Sequence, residues 1–185
     1  MVLVLCVMVL TPRPAAAQGP GDTNIFGGYS YLHINDDSAG EDLQNFPAGY
    51  EVGLTHRIGT MPVTLGGKVQ FSSTTIDTAQ GENSDQTFDL TAFLFGVTFG
   101  PRPAAGKKVW AFGSVYVGAT RATEDIGTTA GHSENSFTFQ PGAGVGFALS
   151  DVVGLNVIGE LPIIRNDGAT TTGVRFGAQI SVKLR

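Results

Sequence analysis

The chain has 185 residues, 42 % of them hydrophobic, which suffices for one domain with a sizeable core, and no linker or shift in composition divides it. Charged residues are only 15 %, against about 25 % in ordinary soluble domains, and the 26 glycines are about twice the usual share of about 7 %. The net charge is −5 and no nucleic-acid partner is expected; one cysteine cannot build a disulfide framework.

Val2 to Leu10 is an unbroken apolar run containing that cysteine, Cys6, and is too short to cross a membrane as a helix. Ala15, Ala16 and Ala17 follow as a small-residue cleavage site, so residues 1–17 are predicted to be a secretory signal and residues 18–185 the folded domain. Cleavage would leave no cysteine, hence neither a disulfide nor a thiolate site. No later run approaches the ~18 apolar residues of a membrane helix.

Eight strands are predicted after it, because period two fits each better than helical spacing. The first is Asn24 to Ile34, with Ile25, Gly27, Tyr29 and Tyr31 on one face. In the second, Phe46 to Ile58, the residues Phe46, Ala48, Tyr50, Val52 and Leu54 oppose Gly49, Glu51, Gly53, Thr55 and Arg57. The third, Met61 to Ser73, sets Val63, Leu65, Val69 and Phe71 against Thr64, Gly66, Lys68 and Gln70. The fourth, Thr87 to Phe99, is apolar on both faces through Phe93, Leu94 and Phe95, which leaves its inward face open and allows a bulge. In the fifth, Val109 to Arg121, Val115 and Val117 oppose Phe112 and Tyr116, again without deciding the parity.

The sixth strand places Phe137, Phe139, Ala143, Val145, Phe147 and Leu149 opposite Gln140, Gly142, Gly144, Gly146 and Ser150. The seventh, Val152 to Ile164, places Val153, Leu155, Val157, Leu161 and Ile163 opposite Gly154, Asn156 and Glu160. The last, Gly173 to Arg185, alternates strictly: Val174, Phe176, Ala178, Ile180, Val182 and Leu184 against Arg175, Gly177, Gln179, Ser181, Lys183 and Arg185. It is long enough to cross a bilayer when tilted, which takes roughly 9–11 residues.

The connections 35–45, 74–86 and 122–136 are long and polar, whereas Gly59-Thr60 and Ser150-Asp151 are tight turns. Long loops at one end, short turns at the other and an even strand count are the layout of outer-membrane barrels. Acidic residues fall in the long loops: Asp36, Asp37, Glu41 and Asp42, then Asp77, Glu82 and Asp85, then Glu124, Asp125 and Glu134. Basic Arg102, Lys107 and Lys108 fall at the opposite end.

From about Asn24 to Arg185 the chain resembles the small eight-stranded outer-membrane β-barrel family of the OmpA/OmpX type. The resemblance is carried by Phe26-Gly27-Gly28-Tyr29 in the first strand, Gly142-Ala143-Gly144-Val145-Gly146-Phe147 in the sixth and the alternating last strand. It implies an all-β, closed, antiparallel, eight-stranded up-and-down transmembrane barrel, monomeric, exported to the outer membrane of a Gram-negative-type cell. The implied role is structural or surface-interactive, with outer-membrane lipid as the constant partner.

With oily faces outward, Glu51, Arg57, Lys68, Gln70, Gln140, Asn156, Glu160, Arg175, Gln179 and Lys183 point into the lumen. Eight strands enclose a space that side chains just fill, and buried charges there must pair. A salt-bridged plug is expected; a small porin or transporter for small or apolar solutes, gated by partner exchange between residues such as Glu160 and Arg175, is the alternative. A secreted carrier of the lipocalin sort, its oily faces turned inward, is the other.

No cofactor, metal centre or enzymatic activity is expected. His33, His56 and His132 are scattered, and His132-Ser133-Glu134 has hydrolase residue types too close in sequence to face one another. Gly142, Gly144 and Gly146 are not a phosphate loop, since no helix follows. The acidic loops are a solvated surface or, alternatively, bind divalent cations bridging to anionic headgroups. Tyr29, Tyr31, Tyr50, Trp110 and Tyr116 are candidates for interfacial aromatic girdles.

Overall fold

Alternation with period two makes strands of most of the described residues. The computed structural model describes residues 22–35, 45–76, 86–100, 108–126, 133–166 and 169–184. They form β1 (Thr23–Asn35), β2 (Asn45–Arg57), β3 (Val63–Ile76), β4 (Gln86–Phe99), β5 (Val109–Ile126), β6 (Ser133–Ala148), β7 (Val153–Glu160), β8 (Ile163–Asn166) and β9 (Ala169–Leu184). β1 to β7 pair in sequence, and β9 returns to β1 with Thr23 opposite Leu184 and Asn35 opposite Thr172.

β7 and β8 are two halves of one barrel strand, both lying between β6 and β9. Pro162, which has no N–H, interrupts what the sequence suggests is one continuous seventh strand. The backbone stays paired across the break, with the Leu161 N–H donating to Pro141 O at 2.8 Å and the Gly173 N–H to Pro162 O at 2.9 Å. The sheet therefore closes as an eight-stranded antiparallel up-and-down barrel with no open edge.

The first tight turn runs from Ile58 to Pro62, wider than Gly59-Thr60 alone, so β3 begins at Val63. Gly59 takes a positive φ of 49°, a conformation that a side chain would strain. The second is closed by Ser150, whose Oγ accepts the Val153 N–H at 3.0 Å.

The outer wall is apolar. Phe95 is 71 % exposed and Phe176 60 %, and Leu54, Leu65, Phe93, Val157 and Ile180 are likewise uncovered. In water that surface would be a large unpaid hydrophobic cost; in hydrocarbon it costs nothing. The oily faces look outward, opposite to the arrangement of a lipocalin-like carrier.

The two undecided strands resolve the same way. On β4, Phe93 and Phe95 face out while Ala92 and Leu94 are buried inside; on β5, Val117 faces out while Ser114 and Tyr116 are buried. β4 carries no bulge: its register with β3 and β5 is unbroken. The irregularity lies between β1 and β2, where Ser30 opposes Gly49 but Leu32 opposes Phe46. One extra residue on β2 reverses the parity beyond it, so Phe46 turns inward, away from Tyr50, Val52 and Leu54 with which alternation groups it.

Four of the inward aromatics share one device. Phe26 lies opposite Gly53, Tyr116 opposite Gly96, Phe112 opposite Gly144 and Trp110 opposite Gly146. A Cβ at Gly146 would stand 2.3 Å from the Trp110 indole, and one at Gly144 2.6 Å from the Phe112 ring. The glycine alternation of β6 therefore makes room for rings of β5, as cross-strand packing in a narrow tube requires. Trp110 and Tyr116 consequently leave the set of girdle candidates, whereas Tyr29, Tyr31 and Tyr50 stand on the outside.

Candidate functional site

The lumen is built in three tiers. At the long-loop end Leu32, Ile34 and Phe46 are buried together, with Phe88 and Leu90 packed against them. Leu32 and Ile34 come from the even positions of β1, and Phe46 joins them only because of the bulge. Of these five, Phe46 is the one that alternation places on the outer wall; Leu32 and Ile34 fall on the face opposite Tyr29 and Tyr31, and alternation leaves open the parity of the strand that carries Phe88 and Leu90.

The middle tier is ionic. Glu51, Lys68, Gln70, Gln140, Glu160 and Arg175 are all buried, from five different strands and both sides of the β1–β9 seam. The Lys68 ammonium donates to Glu160 Oε1 and stands 3.7 Å from Glu51 Oε2. Gln70 Nε2 donates to Glu51 Oε2 and to Glu160 Oε2, each at 3.1 Å. Gln140 Nε2 donates to Glu160 at 2.6 Å and Gln179 Nε2 to Glu51 at 2.9 Å. Lys68 also lies 4.4 Å from the centroid of the Tyr116 ring, close enough for a cation–π contact.

Each carboxylate is thus met by a cation and at least two amide donors, the condition under which a buried charge is tolerable. Arg175 departs from the sequence-based pairing. It sits opposite Glu160 in the ladder, yet its guanidinium donates to Ser30 Oγ at 2.9 Å, and Lys68 is the cation that Glu160 holds. Lys68 meets that carboxylate from β3, on the far side of the lumen.

Below that tier a cavity of about 780 Å³, including solvent at its mouth, opens toward the short-turn end. Its walls carry Arg57 and Lys68 together with Phe26, Trp110, Phe112 and Tyr116, and the amides of Asn24, Asn156 and Gln179. At the rim Lys183 pairs with Asp22 at 2.8 Å, with both side chains partly exposed.

The histidines described lie outside the lumen chemistry, His33 against Asn45 (3.0 Å) and His56 against Thr23 (2.9 Å). Ser133 accepts a hydrogen bond from Arg121 at 3.3 Å; His132 lies outside the described residues, as do Asp36, Asp37, Glu41, Asp42, Asp77, Glu82 and Asp85. Among the described residues no group of three or more histidine, cysteine or acidic side chains converges as a metal site would.

A closed sheet with an apolar outer wall and no open edge, holding a buried ionic network within, defines a transmembrane β-barrel. Residues 2–181 match the outer membrane protein beta-barrel domain family, and the chain belongs to it. The protein is therefore one of the outer membrane. No curated protein matches it.

Among solved structures it is similar to Ail, the attachment invasion locus protein of Yersinia pestis, in complex with the heparin analogue sucrose octasulfate: 14 % identity, 89 % of this chain and 99 % of that one, TM-score 0.63. Neisserial surface protein A gives 12 % identity, 88 % and 96 % coverage and a TM-score of 0.64. OprG of Pseudomonas aeruginosa gives 12 %, 92 % and 100 %, with a TM-score of 0.56. These likenesses establish the fold.

Proposed function

We propose that this is a monomeric, non-catalytic outer-membrane barrel, delivered by a leader of residues 1–17, whose lumen is closed to solutes and whose outer loops meet the cell's surroundings. The supporting observation is the Glu51–Lys68–Gln70–Glu160 network, which reaches across the lumen from three strands beneath the apolar tier of Leu32, Ile34 and Phe46. A solute entering from the short-turn cavity would have to break that network and then displace the apolar residues above it.

The outer loops carry Asp36, Asp37, Glu41, Asp42, Asp77, Glu82 and Asp85. A polyanion such as the sulfated ligand bound by Ail would be repelled by this charge, while divalent cations bridging to anionic headgroups would be drawn to it. Single-channel recording of the refolded protein in planar bilayers tests closure. No conductance is expected; steady conductance of the wild type would replace the plug with a small pore, and conductance only in Glu160→Ala would make the network a gate.

A further inference from the structure

The outer wall carries two cations at matching heights. On β5 the outward positions from Val109 to Ala119 are uncharged, and the next is Arg121; on β7 and β8 those from Val153 to Ile163 are uncharged, and the next is Arg165. Both arginines are exposed and both strands run from the short turns toward the long loops. Each arginine lies twelve positions beyond the first outward apolar residue of its strand, a climb of about 30 Å at a rise of ~3.4 Å per residue and a tilt of ~40°, just past an apolar band about 25 Å tall.

β6 lies between them. Arg121 stands opposite Asn135 and Arg165 opposite Phe137, so the two flank neighbouring outward positions of one strand, their backbones about 12 Å apart by strand spacing and rise. Phe137, 56 % exposed, stands directly opposite Arg165 and one outward position below the level of Arg121. Among the described residues neither guanidinium meets a carboxylate within 4.0 Å; the recorded partner of Arg121 is the Ser133 hydroxyl. Asp89, the outward acid on β4, opposes Thr123 rather than Arg121.

A lone arginine at an interface is accounted for by its stem lying on the apolar wall while its head reaches water. Two on either side of a single strand, opposite its neighbouring outward positions, with an aromatic ring between their strands and no acid there, match a ligand with anionic oxygens above and acyl chains beneath. We propose that Arg121, Arg165 and Phe137 form a docking site for one phosphorylated lipid of the outer leaflet, the guanidiniums taking phosphate oxygens in forked hydrogen bonds and the ring lying along the acyl chains. Forked guanidinium–phosphate pairs bind without a metal bridge.

The test is native mass spectrometry of the full refolded chain in detergent, titrated with bisphosphorylated lipid A, in the presence of EDTA. One saturable lipid per barrel is expected, and Arg121→Gln with Arg165→Gln should weaken it roughly 30-fold, at about fivefold per arginine. The double Arg→Lys variant should retain most of the binding, and each variant's fold is checked by its shift between heated and unheated gels. Equal binding by the double glutamine variant, equal binding of dephosphorylated lipid A, competition by inorganic phosphate at comparable concentration, or loss of binding with EDTA would each overturn the proposal. The last would return lipid contact to cations at the acidic loops.

Discussion

The upper and middle tiers of the lumen fill the same tube with opposite chemistry. Leu32, Ile34 and Phe46 fill their section by volume alone, and each contributes in proportion to the apolar surface that it covers. Glu51, Lys68 and Glu160, with Arg175 as the second buried cation, hold theirs through charge balance, so that no member is tolerable without the others. One tier should weaken gradually under truncation and the other should fail at the first missing partner.

The sharpest break is Glu160→Ala, which strands Lys68 between a single distant carboxylate and the Tyr116 ring. A loss of about 3–5 kcal/mol is expected, with Glu160→Gln costing less because Gln140 and Gln70 keep an acceptor. Urea unfolding of the protein in lipid vesicles measures both. Leu32→Ala comes next, at about 2–5 kcal/mol depending on how far Phe46 and Phe88 collapse into the space. Losses of equal size from Leu32→Ala and Glu160→Ala, with Glu160→Gln no milder, would erase the distinction between tiers. The smallest effect belongs to Lys183→Ala: its pair with Asp22 is partly solvated at the rim, so at most about 1 kcal/mol is expected in the same assay.

The barrel and its direction were legible because alternation is a local property. β9 shows it without exception, and Arg175, Gln179 and Lys183 fall on the inner face that its period assigns. What escaped depends on the neighbouring strand. Trp110 and Tyr116 resemble girdle residues until register places a glycine opposite each, and the missing Cβ gives the inward ring its room. Phe46 was misassigned because a single inserted residue on β2 inverts parity, and nothing in the run Asn45-Phe46-Pro47-Ala48 other than its proline hints at it.

The middle tier shows the same limit from another side. The inward set could be named residue by residue, but the choice of Lys68 over Arg175 as the partner of Glu160 depends on distance across the tube, which no single strand encodes. Arg121 and Arg165 likewise become a pair only once β6 is known to lie between them.

The seam between β1 and β9 joins the first and the last of the described strands, and the clasp of Asp22 with Lys183 lies beside it. A strand order of this kind makes the final segment the keystone: until it arrives, β1 and the β7–β8 strand both present bare amide and carbonyl rows that hydrocarbon cannot solvate. The barrel is therefore edge-free only when β9 is paired on both sides, and a chain lacking it would carry two unsatisfied edges at the membrane.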